Sequence, residues 1–322
     1  MKLRPLVHAW NAFFFAPQST TPIALFRIVY GVLLVIDLLF LGPHWPDWYG
    51  THAWVSLATM HAVEPGTRLS LFAVMPQSDV WVWAVFWISL GSAVLLTFGF
   101  LTRMSSVAAF LCLTSIHQRN LYITHSGDTF LRVSGFFLMF APAGAAFSMD
   151  RLIGLWRGRG DSAVRLRSPW AQRMIQIELA LMYFAAFCSK AQGHPWVDGT
   201  ALFYVFHLDE LRRFPLPAWF FDSHVLKLGT WSVLALEFSL GILIWIRDLR
   251  YYVLACGLVF HLAIEYSMNI PLFEWDILAA YILFIDASDI ARARKRVSAF
   301  VRERLLHAKR APVNRAIGVS RD

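Results

Sequence analysis

The sequence contains nearly uninterrupted apolar runs that are long enough to cross a lipid bilayer as helices. Two examples are IALFRIVYGVLLVIDLLFL at Ile23–Leu41 and WVWAVFWISLGSAVLLTFGFL at Trp81–Leu101. A bilayer core of roughly 30 Å needs about 20 helical residues, and lipid cannot satisfy the open edge of a sheet. Charged residues make up only 16% of the chain, against about a quarter in soluble domains. The sequence therefore predicts an all-α, polytopic membrane helix bundle.

The apolar runs and the polar breaks between them predict about eight transmembrane helices. We place them at about 22–41, 80–98, 103–117, 129–149, 171–190, 229–246, 251–268 and 273–287. Residues 1–20 combine aromatic and basic side chains and show no cleavable signal pattern, so they predict an N-terminal interfacial helix. Residues 21–288 form the predicted transmembrane domain, and residues 289–322 form a basic cytoplasmic tail.

Lys and Arg are distributed unevenly between alternate loops. They concentrate in the N-terminal tail, the turn at 99–103, the loop at 151–173, the turn at 247–250 and the C-terminal tail. Such a bias marks the cytoplasmic side, so we expect a multi-pass protein of the cell membrane with both termini cytoplasmic. The basic tail suits the anionic surface of the lipid bilayer. No nucleic-acid recognition fold accompanies it, so nucleic acid is not an expected partner.

Polar residues gather near the predicted outer ends of the helices. His261, Glu265, Met268 and Asn269 follow i, i+4, i+7 and i+8 spacing, which places them on one helical face. A charge against lipid costs several kcal/mol, so this face should point into the bundle and line a cavity open to the outside. Other ionisable residues are predicted at the same level, namely Asp128, Arg132, Lys190, Glu274 and Asp276.

Structural interpretations of these residues remain open. Lys190 could snorkel at a helix end, and His261 with Glu265 could be a satisfied structural pair. Four charged residues inside predicted spans are expected to pair with groups on other helices; they are Arg27, Asp37, Glu178 and Glu237. The histidines form no H-x-x-x-H or HExxH pair, so no metal site is expected.

Four stretches carry a resemblance to a known family. They are TPIALFRIVYGVLL (Thr21–Leu34), NLYITHSGDTFLR (Asn120–Arg132), MYFAAFCSKAQGHPWVDG (Met182–Gly199) and VFHLAIEYSMNIPLFEWD (Val259–Asp276). Over residues 15–288 the chain resembles the horizontally transferred transmembrane (HTTM) domain family, which includes the vitamin K-dependent γ-glutamyl carboxylase. In that enzyme a buried lysine deprotonates reduced vitamin K, a hydroquinone. Oxygen then gives an epoxide through a basic alkoxide, which removes a glutamate γ-proton before carbon dioxide adds.

The resemblance implies roles for particular residues. Lys190, ahead of the WVDG that begins at Trp196, corresponds to the catalytic base, and His125 and His261 correspond to active-site histidines. The carboxylase has two adjacent lysines, and the second of them is its base. An ungapped count back from Trp196 aligns Lys190 with the first lysine and Ala191 with the second. The position that corresponds to the base therefore stays open by one residue. The remaining expected cavity residues are Glu265, Asn269, Arg132, Asp128, Trp196 and Asn120.

Three functions from different classes follow. The first is a quinol-oxidising, carboxylase-like lyase or oxygenase that uses a reduced quinone as co-substrate and a partner protein for the missing lumenal portion. Here desolvation would keep Lys190 neutral, and Glu265 would fix the tautomer of His261. The second is a non-catalytic membrane protein that binds a quinone, a lipid or a partner protein. The third is a transporter, which should show inverted repeats; none is visible in the sequence.

Overall fold

The structure is a computed structural model that describes residues 3–63, 66, 69–159, 161 and 163–310, and it is almost entirely helical. The helices are α1 (Leu3–Phe15), α2 (Thr21–Leu41), α3 (Trp45–Tyr49), α4 (Leu57–Val63), α5 (Leu71–Val74), α6 (Asp79–Phe98), α7 (Thr102–Arg119), α8 (Ser126–Phe140), α9 (Met149–Trp156), α10 (Trp170–Lys190), α11 (His194–Val197), α12 (Ala201–Phe206), α13 (Ser223–Gly241), α14 (Arg247–Ser267), α15 (Phe273–Tyr281) and α16 (Ala287–Arg310). Short 3-10 turns lie at Gly42–His44, Leu121–Ile123, Asp209–Leu211, Ala218–Phe221, Leu243–Trp245 and Ile282–Phe284. The predicted all-α class is confirmed.

One small sheet accompanies the helices. Its strands β1 (Gln18–Ser19) and β2 (Leu166–Arg167) pair antiparallel. The chain divides into two compact units, Met1–Phe284 and Ile285–Asp322. Residues 1–2 of the predicted interfacial helix and residues 311–322 of the predicted tail lie outside the described residues.

The first unit is a bundle of the long helices. Along the chain α2 packs against α6, α6 against α7, α7 against α8, α8 against α10, and α10 against α13. The shorter α15 contacts α2, α8, α10 and α14, so it lies among helices from both halves of the sequence. This arrangement brings residues near positions 37, 125, 183 and 261 towards one region, which the sequence order alone does not reveal.

Each predicted span overlaps a helix of the structure, but only two of the described stretches have the length and composition of a membrane span. Within the described residues, Thr21–Tyr49 and Asp79–Phe98 are the stretches long and apolar enough to cross a membrane. The others fall short because α8 has 15 residues and α15 has 9, or because buried polar groups lower their hydropathy. On α10, for example, the amides of Gln172 and Gln176 both donate to the carbonyl of Leu283. The number of spans thus stays a prediction.

The predicted fourth span, 129–149, is too long. Helix α8 ends at Phe140, and Ala141 has extended backbone angles. The reason is Pro142, since a proline disfavours helical geometry in the residue before it. A separate short helix, α9, then begins at Met149.

A buried arginine fixes the turn between α6 and α7. Arg27 on α2 is fully buried, and its Nη2 donates to the carbonyl of Phe147 at 2.6 Å. Gly99 ends α6 with a φ of 65°. A Cβ at this position would collide with the guanidinium of Arg27 and the side chain of Ser148. Glycine is therefore required here both for the left-handed backbone and for the close approach.

Helix α7 is capped by Asp150, a residue of α9. The carboxylate of Asp150 accepts the backbone N–H groups of Leu101 and Thr102, both at 2.8 Å, and the Thr102 hydroxyl at 2.7 Å. Partial burial acts to raise the pKa of Asp150, but these hydrogen bonds outweigh it and lower the pKa below its ordinary value. The negative charge satisfies the first turn of α7.

We predict that Gly99→Ala destabilises the protein, because alanine must adopt a strained φ and displace Arg27 from its buried site. The loss should be about 2 kcal/mol or more. Gly91→Ala is the matched control, since Gly91 lies within α6 and a Cβ there has open space. Thermal unfolding of both variants in detergent measures the difference, and equal melting temperatures would contradict this role for Gly99.

Candidate functional site

A buried chain of hydrogen bonds surrounds His261. This histidine on α14 is 2% exposed. Its Nδ1 contacts the carboxylate of Glu274 on α15, and its Nε2 contacts the hydroxyl of Tyr183 on α10. The Tyr183 hydroxyl also lies 2.9 Å from the hydroxyl of Tyr281. Both ring nitrogens are therefore engaged, and the chain ties three helices together.

The predicted pairing of Glu265 with His261 is wrong. Glu265 instead forms an ion pair with Arg213, whose Nη1 also contacts the backbone carbonyl of Glu265 at 3.2 Å. The carboxylate beside His261 is that of Glu274. The cause is the turn after α14, which brings the first turn of α15 back against the preceding helix.

The prediction that His261, Glu265, Met268 and Asn269 share one helical face is correct only in part, because the helix ends before Met268. Helix α14 ends at Ser267, so Met268 and Asn269 lie beyond it. Met268 forms an isolated bridge with Arg212, and the backbone N–H of Asn269 donates to the carbonyl of Leu211 at 2.7 Å. The face is thus helical for its first two members only, and the long loop between α12 and α13 pairs with the rest.

Lys190 points towards a carboxylate. Its Nζ forms an ion pair with Glu237 on α13, and the two side chains are 29% and 4% exposed. The ammonium also lies 5.1 Å from the ring centroid of Trp196, a cation–π contact. Glu237 is in turn within electrostatic range of His261. The lysine is therefore anchored inside the bundle and is not simply extended towards lipid head groups.

A cavity of about 640 Å³ lies at one end of the bundle. It is here called the outer cavity, after the predicted outer ends of the helices that line it. Among its lining residues are four of the predicted site residues, His125, Asp128, Glu265 and Asn269. Further lining residues are Asp37, Phe40, Leu41, Tyr49, Ile116, His117, Ile123, Thr124, Arg213, Pro271, Leu272 and Trp275. Polar groups and aromatic rings thus share its wall.

His125 caps a helix through one ring nitrogen, and its other ring nitrogen, Nε2, lies 3.7 Å from a carboxylate oxygen of Asp128, beyond hydrogen-bond distance. It is the N-cap of α8: its Nδ1 accepts the N–H of Gly127 at 3.0 Å, and its own N–H donates to Asp128 at 2.7 Å. Because Nδ1 accepts, the neutral ring carries its proton on Nε2. The ring also packs edge-on against Phe273 at 5.8 Å. His125 can therefore offer an N–H donor to a ligand.

One buried polar atom of the cavity lining has no partner among the described residues. It is Nδ1 of His117, a residue that is 4% exposed and whose Nε2 lies 3.7 Å from a carboxylate oxygen of Asp128. Asp37 on α2 is close enough to Asp128 for their charges to interact. Buried polar atoms without partners are unusual in native proteins, and this one belongs to a residue that lines the cavity.

The structure does not bring all of the predicted site residues into the outer cavity. Lys190, Trp196 and His261 belong to the buried contacts described above. Asn120 caps the 3-10 turn that follows it by accepting the N–H of Tyr122 at 3.1 Å. Arg132 is half-buried on α8, within electrostatic range of His117. Across the described ranges, no group of three His, Cys, Asp or Glu residues could hold a metal ion.

A second space is a groove of about 580 Å³ between α8 and α10, lined mainly by apolar side chains. Glu178 lies in it, and its carboxylate accepts the hydroxyl of Ser134 at 2.9 Å. The predicted partnering of this glutamate with another helix is thus realised. Ser126 and Thr129, at the start of α8, also line the groove, so it begins close to the outer cavity.

Sequence reasoning missed several of these residues. Tyr183 and Tyr281 lie in apolar runs, MYFAAF and AAYIL, and nothing in the pattern separates them from packing residues. Asp37 and Glu237 were expected only to find structural partners. His117 is the last residue of the predicted span 103–117. Its predicted position at the outer end of that span was the one feature of the sequence that could have indicated a site residue.

The comparison with protein families supplies one match, while no curated protein and no solved structure matched the chain. A model of the HTTM domain matches residues 15–288. These residues include all the helices that surround the outer cavity and the His261 contacts. The match also agrees with the family resemblance of the four sequence stretches. The chain therefore belongs to the HTTM domain family.

Proposed function

We propose that the chain is a membrane protein that binds a reduced quinone in the outer cavity. The observation that carries the proposal is the wall of this cavity, where aromatic side chains stand beside hydrogen-bonding groups. Phe40, Tyr49 and Trp275 line it together with His125 and Asp128. A quinol is a flat ring with hydroxyls that donate hydrogen bonds, so aromatic walls and carboxylate acceptors suit it.

The proposal includes a membrane topology. Eight spans with both ends in the cytoplasm would place the outer cavity at the outer surface of the cell membrane. Each proposed span has a helix of the structure at its position, and the bias of Lys and Arg towards alternate loops supports the orientation. Buried polar contacts explain why several of these helices are less apolar than an isolated membrane span.

Quinol oxidation is a second candidate function. It is favoured by the inward direction of Lys190, whose partner Glu237 is within electrostatic range of His261. In this candidate the Lys190–Glu237 pair, and not a free neutral lysine, would receive a phenolic proton. The simple binding function needs fewer steps, since Lys190 lines neither the outer cavity nor the groove between α8 and α10. Carboxylation would further require a partner protein for the substrate peptide.

We predict that an impermeant maleimide labels cysteine at Asp209 but not at Arg159 in intact cells. Both positions are exposed, and they lie in loops that the topology places on opposite sides. The natural residues Cys112, Cys188 and Cys256 are first replaced by serine or alanine. Labelling of the Arg159→Cys protein before the cells are permeabilised would contradict the topology.

We predict that the purified protein in nanodiscs binds a reduced naphthoquinone and that Trp275→Ala weakens this binding about tenfold, because an aromatic contact is lost. Trp219→Ala is the control, since Trp219 is an exposed tryptophan that does not line the cavity. Anaerobic calorimetric titration gives the dissociation constants. Unchanged affinity in Trp275→Ala, or no binding by the wild type, would reject the proposed site.

We predict that Lys190→Ala lowers stability by about 3 kcal/mol, because the buried Glu237 loses its partner. Adding Glu237→Gln should restore most of the lost stability, which thermal unfolding measures.

The folded double variant, Lys190→Ala with Glu237→Gln, then allows turnover to be measured without the loss of stability. If the pair receives the quinol proton, this variant loses oxygen-dependent turnover of the quinol except at strongly alkaline pH. Turnover equal to wild type at neutral pH would exclude the pair as the base.

A further inference from the structure

A small cavity, here called the Arg119 cavity, lies apart from the outer cavity. Its volume is about 170 Å³, and Tyr49 borders both spaces. The lining residues that could contact a ligand through polar groups include Thr51, Gln77, Ser78 and Arg119. Among the described residues, the lining contains no carboxylate, and its one charged side chain is that of Arg119.

The position of Arg119 is unusual for a charged residue. It is the last residue of α7 and is 3% exposed, and its Nη1 donates to the carbonyl of Val55 at 3.1 Å. A guanidinium carries five N–H donors and stays protonated. In the part of the chain that the structure describes, no Asp or Glu forms an ion pair with it. A buried charge without a counter-ion is costly, and an anionic ligand would remove that cost.

The start of α6 faces the same cavity. Ser78 is the N-cap of this 20-residue helix, and its side chain makes no capping hydrogen bond. The first backbone N–H groups of a helix have no acceptor within it and carry partial positive charge. Gln77, directly before the N-cap, is exposed and lines the cavity. A helix start beside a buried arginine provides two independent attractions for an anion.

One negative charge lies close by and has its own partners. The carboxylate of Asp79 accepts the backbone N–H and the hydroxyl of Thr51, both at 3.0 Å, and these bonds lower the pKa of Asp79. Asp79 is exposed and is not part of the cavity lining. Among the described residues, the lining therefore contains Arg119 as its charged group and otherwise neutral side chains.

We propose that the Arg119 cavity binds a small oxyanion, a carboxylate or a phosphate group, held by the guanidinium of Arg119 and the start of α6. The site is distinct from the quinone site and does not depend on it. A space of this size accepts an anionic group of a few atoms but not a ring with an isoprenoid tail.

The test is anion-dependent thermal unfolding of the delipidated protein in detergent. Sodium phosphate, sulfate or acetate replaces chloride at constant ionic strength and pH. The wild type should melt at a temperature that rises with anion concentration and saturates, because the ligand binds the folded state. Gln77→Glu should weaken the apparent affinity about fivefold through charge repulsion, and Gln77→Lys should strengthen it by a similar factor. Gln192→Glu, an exposed change elsewhere, should leave the affinity unchanged.

Arg119→Gln should abolish the effect, and Arg119→Lys should restore part of it, since lysine keeps the charge but lacks the planar fork. If Arg119→Gln does not fold, the comparison of Gln77→Glu with Gln77→Lys still tests whether the cavity binds an anion. A parallel titration with phosphatidylglycerol in mixed micelles shows whether the oxyanion is free or part of a lipid head group. No anion-dependent shift in either titration, or equal affinities in Gln77→Glu and Gln77→Lys, would overturn the proposal.

Discussion

Charged side chains inside an apolar helix bundle must find their partners within the protein, because apolar surroundings supply neither hydrogen bonds nor counter-ions. This requirement organises the structure. Arg27 donates to a backbone carbonyl, Lys190 pairs with Glu237, and His261 contacts Glu274. The first two contacts join segments far apart in the sequence and the third joins two successive helices, so the polar residues help to determine how the apolar helices are arranged. Apolar packing alone would allow many rotations of such helices about their axes.

The same requirement separates structural groups from groups open to a ligand. His261 has both nitrogens engaged and belongs to the interior, whereas His117 has an unpaired nitrogen and borders the outer cavity. His125 combines both roles, since Nδ1 caps α8 while Nε2, 3.7 Å from Asp128, belongs to a residue that lines the cavity. Lys190 lies between these classes, anchored to a buried carboxylate yet partly exposed. This division is why we place ligand binding in the cavity and treat the lysine chemistry as a second candidate.

Much of the fold could be predicted from apolar periodicity, because a bilayer imposes a helix length and forbids open strands. His125, Asp128, Glu265 and Asn269 were predicted at the same depth, and all four line one cavity of the structure. The partner of His261 could not be predicted in this way. Helical spacing selected Glu265 on the same helix, but a turn places Glu274 of the next helix beside the ring.

The contacts of Tyr183 with His261 and Tyr281 also could not be predicted from the sequence. Inside an apolar run, a tyrosine hydroxyl gives no periodic signal, and only the three-dimensional packing shows whether it meets a histidine. Arg119 shows the reverse case. Its charge at a predicted helix end was visible in the sequence, but its burial at the wall of a small cavity depends on the fold of residues 49–58 and 70–78 around it.

An experimental structure of the protein in nanodiscs with an excess of reduced naphthoquinone would test the central claim most directly. We expect density for the ring in the outer cavity, between His125 and Trp275, with a quinol hydroxyl within hydrogen-bond distance of His125 Nε2 or of the Asp128 carboxylate. Density for the ring in the groove between α8 and α10, with the outer cavity filled by ordered water, would contradict the account.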